Sequence, residues 1–145
     1  MVINCMMLVL PQLELERRLP DLDYFVDSPL SVNATQIVKH YPQYFNSTIQ
    51  KILKSDNDPF GFKGLKFIKS VDESKLLNFR NGPMVIISAS GMADAGRVKH
   101  HISNNIENSR NTILFSGYCE PRSLGGKLMA GAKEIKIYGT LHEVN

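Results

Sequence analysis

Apolar and polar positions along this chain alternate in blocks that predict strands and helices in turn. Met84-Val85-Ile86-Ile87, opened by Pro83, is an unbroken apolar and β-branched run, the pattern of a strand buried on both faces in a parallel sheet. It stops at Ser88-Ala89-Ser90-Gly91, small residues that let a ligand approach the backbone. Downstream, Val98, Ile102 and Ile106 recur at spacing four and predict a helix, with Asp94 or Ser90 as its cap. Asp23-Tyr24-Phe25-Val26 and Thr112-Ile113-Leu114-Phe115 read as further strands, the second of them buried. Leu65 to Lys69 alternates apolar and charged residues, a strand with one wet face nearer an edge, and Glu134 to Tyr138 reads as the last strand.

Helical patterns fill the intervals. They cover about 3–18, where Pro11 is awkward because it removes a hydrogen bond, then Val32 to about His40, and Asn46 or Ser47 to Lys54. A turn-rich connector at 57–61 follows, and later a short helix from Glu73 to Phe79 and a small-residue helix from Leu124 to Ala130, started by Ser123. Strands alternating with helices on short loops predict an α/β fold: a three-layer, doubly wound, mostly parallel sheet of about five strands with helices on both faces. Ligands of such sheets sit beyond the carboxyl ends of the strands. The polar clusters at Asp27-Ser28, Ser88 to Gly91 and Ser116 to Arg122 are therefore expected on one edge.

Composition narrows this picture without redirecting it. At 145 residues and 43% hydrophobic content, with no internal repeat or low-complexity tract, the chain is expected to form a single domain over 1–145, its α/β core spanning about 23–139. The formal charge of +3 permits an anionic partner without demanding one. Two distant cysteines, Cys5 and Cys119, point to a reduced, cytoplasmic setting rather than a disulfide framework. Met6 to Leu10 is too short to span a bilayer and lacks the flanks of a signal peptide, so neither export nor a membrane span is expected.

The chemistry is decided by elimination. His100 and His101 are adjacent, point about 100° apart on a helix, and have no HxH, HxxxH or CxxC partner, so no metal site is expected in this chain. One of the two should pack inside and the other meet solvent or ligand. Neither a GxSxG nucleophile elbow nor a GxGxxG or Gly-Lys-Ser/Thr phosphate loop is present. What survives is an anion cradle at a helix start: Ser90, Gly91, Arg97, Lys99 and one of the histidines supply donors, with Arg122 and Lys127 approaching from the next loop and Tyr118 available to stack on a base. From spacing alone, solvated helix charges and tight-turn residues explain the same cluster equally well.

Several motifs in order carry a more specific signal. Val26-Asp27-Ser28-Pro29-Leu30-Ser31 with Thr35, Asp58-Pro59-Phe60, Gly82-Pro83 through Ser88-Ala89-Ser90-Gly91-Met92, Gly96-Arg97-Val98-Lys99-His100-His101, Arg110-Asn111-Thr112 and Gly117-Tyr118 resemble the β-CASP domain of metallo-β-lactamase-fold RNA-processing nucleases. The resemblance spans about Leu8 to Val144. There are departures: Ala95-Gly96-Arg97 stands where the family has Gly-Gly-Arg, and Gly117-Tyr118-Cys119-Glu120 where it has Gly-Tyr-Gln-Ala. Arg122-Ser123-Leu124-Gly125-Gly126 replaces Gly-Thr-Leu-Gly-Arg, and Pro11 falls where the family has an unbroken helix.

The resemblance implies an RNA-clamping domain that covers the two-zinc site of a metallo-β-lactamase domain in the same parent, an RNA-hydrolysing ribonuclease or exonuclease. Asp27, Ser28, Ser88, Ser90, Gly91, Arg97, His100, His101, Tyr118 and Arg122 would then contact RNA or its phosphates. The zinc-binding HxHxDH motif is not in these residues, and Tyr138 to Val144 matches the start of the return to the lactamase fold, so 140–145 would begin that return and the chain alone should be inactive. RNA and the lactamase domain are the implied partners, and a homodimer is left open. The rival is a free-standing doubly wound module for nucleotide or protein binding, without catalysis.

Overall fold

The structure, a computed structural model, describes residues 2–45, 47, 50 and 61–145. The fold is α/β: a three-stranded parallel sheet with helices, and a separate two-stranded hairpin. By internal packing the chain divides into two compact units, one formed by Ile3–Ser70 with Asn81–Ile87, the other by Val71–Arg80 with Ser88–Asn145.

In the first unit, helix α1 (Val2–Leu15) runs straight through Pro11, which is buried. The helix forgoes one internal hydrogen bond there. Its carboxyl end is tied down by Glu14, whose carboxylate accepts from the Lys63 amide at 2.7 Å. Strand β1 (Asp23–Asp27) is the most buried element, with Tyr24, Phe25 and Val26 at 4% exposure or less, and it pairs in parallel with β2 (Leu65–Phe67) through Tyr24 to Leu65 and Val26 to Phe67. The third strand, β3 (Met84–Ser88), lies on the other side of β1, giving the order β2-β1-β3. Central position explains why β1 is dry while β2 alternates half-buried and exposed residues, as its sequence predicts.

Helix α2 (Pro29–Lys39) starts directly after β1, three residues earlier than its apolar pattern indicates. Ser28 explains the early start: its hydroxyl oxygen accepts from the Ser31 amide at 3.4 Å and the Ser31 hydroxyl at 2.8 Å, and Pro29 fills the first helical position. The helix expected over 46–54 and the connector at 57–61 fall almost entirely outside the described residues.

In the second unit, α3 (Val71–Leu76) continues into a 3-10 turn, Leu77–Phe79. Helices α4 (Arg97–Asn105) and α5 (Leu124–Met129) and the hairpin β4 (Glu134–Ile137) and β5 (Thr140–Glu143) share one apolar cluster. It consists of Ala93, Ile102, Ile106, Leu124, Ile135 and Ile137, with Val98, Phe115, Leu128 and Val144 packed around it. The spacing-four stripe of α4 thus faces the core.

Three expectations are corrected. The sheet has three parallel strands among the described residues, not five: Glu134 to Ile137 pairs antiparallel with β5 through a two-residue turn at Tyr138-Gly139. Thr112 to Phe115 is not a strand, and Leu114 is 77% exposed; only Phe115 reaches the apolar cluster, so one large side chain anchors the segment. In β3 only Ile87 is fully buried: among the described residues β3 is the end strand of the sheet, with β1 alone beside it. No helix among the described residues is long and apolar enough to cross a membrane.

Ile137, at 1% exposure, fills the centre of the second unit's core. Ile137→Ala is expected to cost about 3 kcal/mol by removing buried methyl groups and leaving a cavity. Chemical unfolding of the two proteins, compared at equal slope, measures it.

Candidate functional site

The loop from Ala89 to Gly96 is built on a close backbone approach. Gly96 has a φ of 78°, and a side chain there would meet the Ala89 carbonyl at 3.1 Å, so glycine is what lets the two ends of the loop touch. This brings Ser90 and Arg97 to neighbouring positions, Ser90 at the loop's start and Arg97 opening α4. Within the loop the Ala93 amide donates to the Ser90 carbonyl at 3.1 Å.

Three hydrogen bonds then fasten this loop to the start of α5 and to the segment before it. The Cys119 thiol donates to the Gly91 carbonyl at 3.2 Å. The Gly125 amide donates to the Met92 carbonyl at 2.9 Å, and the Leu124 amide to the Asp94 carboxylate at 2.8 Å. Asp94 is therefore committed to α5 and does not cap α4. The cap position of α4 is Gly96, which offers no side chain, so neither Asp94 nor Ser90 fills the role expected of it. Ser123 does cap α5, as its sequence predicts, accepting from the Gly126 amide at 3.0 Å while its own hydroxyl donates to the Glu120 carbonyl at 2.6 Å.

The glycines of α5 are packing residues. A side chain at Gly125 would meet the Cys119 sulfur at 2.8 Å and Phe115 at 2.9 Å; one at Gly126 would collide with the Glu120 carbonyl. At Gly91, by contrast, nothing lies within 4 Å. The turn is braced from behind and open in front.

The sequence-predicted residues sort by exposure. Ser90, Gly91, His100, Tyr118 and Arg122 are exposed, with Tyr118 at 77%, and Ser88 and Arg97 are half-buried. His101 is buried at 8%, and its carbonyl accepts from Asn105, while His100 faces out. The histidine pair thus divides into one inner and one outer ring. Asp27 and Ser28 belong to the first unit; both are buried, and Ser28 is occupied as the cap of α2. Among the described residues no group of three or more His, Cys, Asp or Glu could hold a metal ion, so no chemical step is assigned to a metal here.

With this geometry in hand, comparison with known proteins is decisive. A Beta-Casp domain model matches residues 4–128. The chain belongs to the Beta-Casp family. Among its relatives are Ribonuclease TTHA0252 of Thermus thermophilus, 31% identical over 122 residues, and an RNase J-like protein of Methanocaldococcus jannaschii, 31% identical over 121. A transcription termination factor FttA of Methanosarcina mazei is 28% identical over 134 residues. These alignments take in 84%, 83% and 92% of this chain but 28%, 27% and 21% of the respective relatives, so the chain spans about a quarter of their length.

Two further features of this Beta-Casp domain escape sequence reading. His142 on β5 stands between Glu107, whose carboxylate is 2.7 Å from Nδ1, and Ser103, whose hydroxyl is 3.3 Å from Nε2. The order is that of a hydrolytic triad, but Ser103 lies inside α4, where its backbone amide belongs to the helix and cannot serve an oxyanion. It is a clasp between helix and hairpin. A cavity of about 350 Å³ opens beside Ile106, Ile113, Phe115, Leu128 and Val144, and none of its lining residues is among those predicted to bind.

Gly126 gives the sharpest test of how the loops are held. Gly126→Ala is expected to destabilise the domain by about 2 kcal/mol through overpacking against the Glu120 carbonyl. Gly91→Ala, which points a methyl group into open space, should change the unfolding midpoint far less.

Proposed function

We propose that this chain is the RNA-holding Beta-Casp domain of a metal-dependent ribonuclease, acting in RNA processing or degradation. The observation that carries the reading is the exposed Ser90-Gly91 turn, braced by Cys119, Leu124 and Gly125 and running into a helix that begins with Arg97. Family membership and two relatives named for ribonuclease activity support the choice of RNA as the anion.

On this reading the hydroxyl of Ser90, the open backbone at Gly91 and the Arg97 guanidinium hold successive phosphates, and Arg122 adds charge from the neighbouring loop. These contacts position a strand without reading its sequence. Hydrolysis would belong to a two-zinc metallo-β-lactamase domain of the same parent, whose metal ions would supply an activated water. The residues of this domain would bind and orient the strand, and their contribution would be geometric. A reduced cytoplasmic setting fits the same proposal.

Arg97→Ala should weaken retention of a single-stranded oligoribonucleotide severalfold at low salt. It should also reduce the slope of log affinity against log salt by about 0.7, one phosphate contact on a single strand. Fluorescence anisotropy across a salt series measures both, and an unchanged slope would remove Arg97 from the RNA path. The purified 145-residue chain is expected to show no chelator-sensitive ribonuclease activity. Cleavage of a labelled RNA that disappears with chelator would place catalytic metal ligands in this chain and overturn the division of labour.

A further inference from the structure

The hairpin turn carries a residue that turn chemistry does not ask for. Between β4 and β5 the two turn residues, Tyr138 and Gly139, have φ of 50° and 87°, the left-handed pair of a type I′ turn. Asn-Gly or Gly-Gly satisfies this geometry at least cost, whereas a bulky tyrosine with positive φ is an outlier whose strain points to a use for its ring. That ring is not spent on the core, since Tyr138 is 54% exposed.

What the ring touches is the outward side of α4. The imidazole of His100 stacks on it with centroids 4.7 Å apart and planes within 22°, and Lys99 Nζ sits 4.8 Å from its centroid. Both supports are anchored in buried side chains. The turn is anchored by Ile135 and Ile137, and α4 by His101 and Ile102, all buried. The result is a pair of stacked, solvent-facing rings beside a flexible cation, one residue away from the buried histidine and three from Arg97.

We infer that Tyr138 and His100 form a base-stacking platform for single-stranded RNA, with Tyr138 fixing the plane of the imidazole. Stacking accepts any base because every base has a π-face, and Lys99 can swing from the ring to the adjoining phosphate. The inference rests on the RNA reading above and adds to it a contact to bases, where the Ser90 to Arg97 turn offers contacts to phosphates.

The discriminating substitution is Tyr138→Asn, which removes the ring and leaves Asn-Gly, the sequence the turn prefers, so the hairpin should be retained. The probe is an oligoribonucleotide carrying one 2-aminopurine, whose fluorescence is quenched when the base stacks. The original protein and Tyr138→Phe should quench it, whereas Tyr138→Asn should lose the quenching and about tenfold in affinity. Inorganic polyphosphate should bind all three equally. If RNA binds and Tyr138→Asn still quenches with undiminished affinity, Tyr138 only braces the hairpin and the platform is overturned. If the original protein retains no RNA at low salt, the RNA reading itself falls, and the platform with it.

Discussion

The loop from Ala89 to Gly96 in the second unit depends on three hydrogen bonds made behind it. The Met92 and Gly91 carbonyls and the Asp94 carboxylate each accept a hydrogen bond, from the Gly125 amide, the Cys119 thiol and the Leu124 amide respectively, at and just before the start of α5. A loop of small residues has little side-chain surface to bury and would otherwise sample many conformations at a cost in entropy on binding. Fastening two of its carbonyls and the Asp94 carboxylate fixes the shape of the loop while leaving Ser90 and Gly91 exposed. Gly125 is the condition for that arrangement, because a methyl group there would press on the Met92 carbonyl at 3.0 Å and the Cys119 sulfur at 2.8 Å, whereas one at Gly126 would collide with the Glu120 carbonyl of its own segment.

The same constraint explains which parts of the fold were legible in the sequence. The strands Asp23–Asp27, Leu65–Phe67 and Met84–Ser88 and the helix at 97–105 follow from apolar period, and the helix at 124–129 from its Ser123 cap, signals carried within each segment. Sheet membership is not such a signal. Glu134 to Ile137 has the alternation of any half-buried strand, and only its partner decides between a parallel sheet and a hairpin. The turn at Tyr138-Gly139 concealed that partner, since a tyrosine does not announce a type I′ turn. Thr112 to Phe115 misled for the converse reason: an apolar run was read as buried when only its last ring is needed by the core.

Of the residues proposed to hold RNA, those around the Ala89 to Gly96 loop fall near one another, whereas Asp27 and Ser28 belong to the first unit. Ser90, Gly91 and Arg97 are close because Gly96 closes the loop, which a strand-turn-helix reading anticipates. Asp94 looked like a cap because it stands near a helix start, yet its partner is the amide of Leu124, thirty residues on. Long-range hydrogen bonds of this kind leave no local trace. The clasp of Ser103, His142 and Glu107 was invisible for the same reason, its members lying 35 and 39 residues from His142.

Burial finally separates what can meet a ligand from what shapes it. A buried polar group must be satisfied inside the protein, which is the state of Ser28 under the α2 cap and of Ser123 at the start of α5. Exposed groups hold no such obligation. A formal charge of +3 favours a polyanion only weakly through the overall field, so the placement of individual charged groups matters more to the RNA-holding reading proposed above. On that reading the fixed shape of the loop would matter alongside its charge.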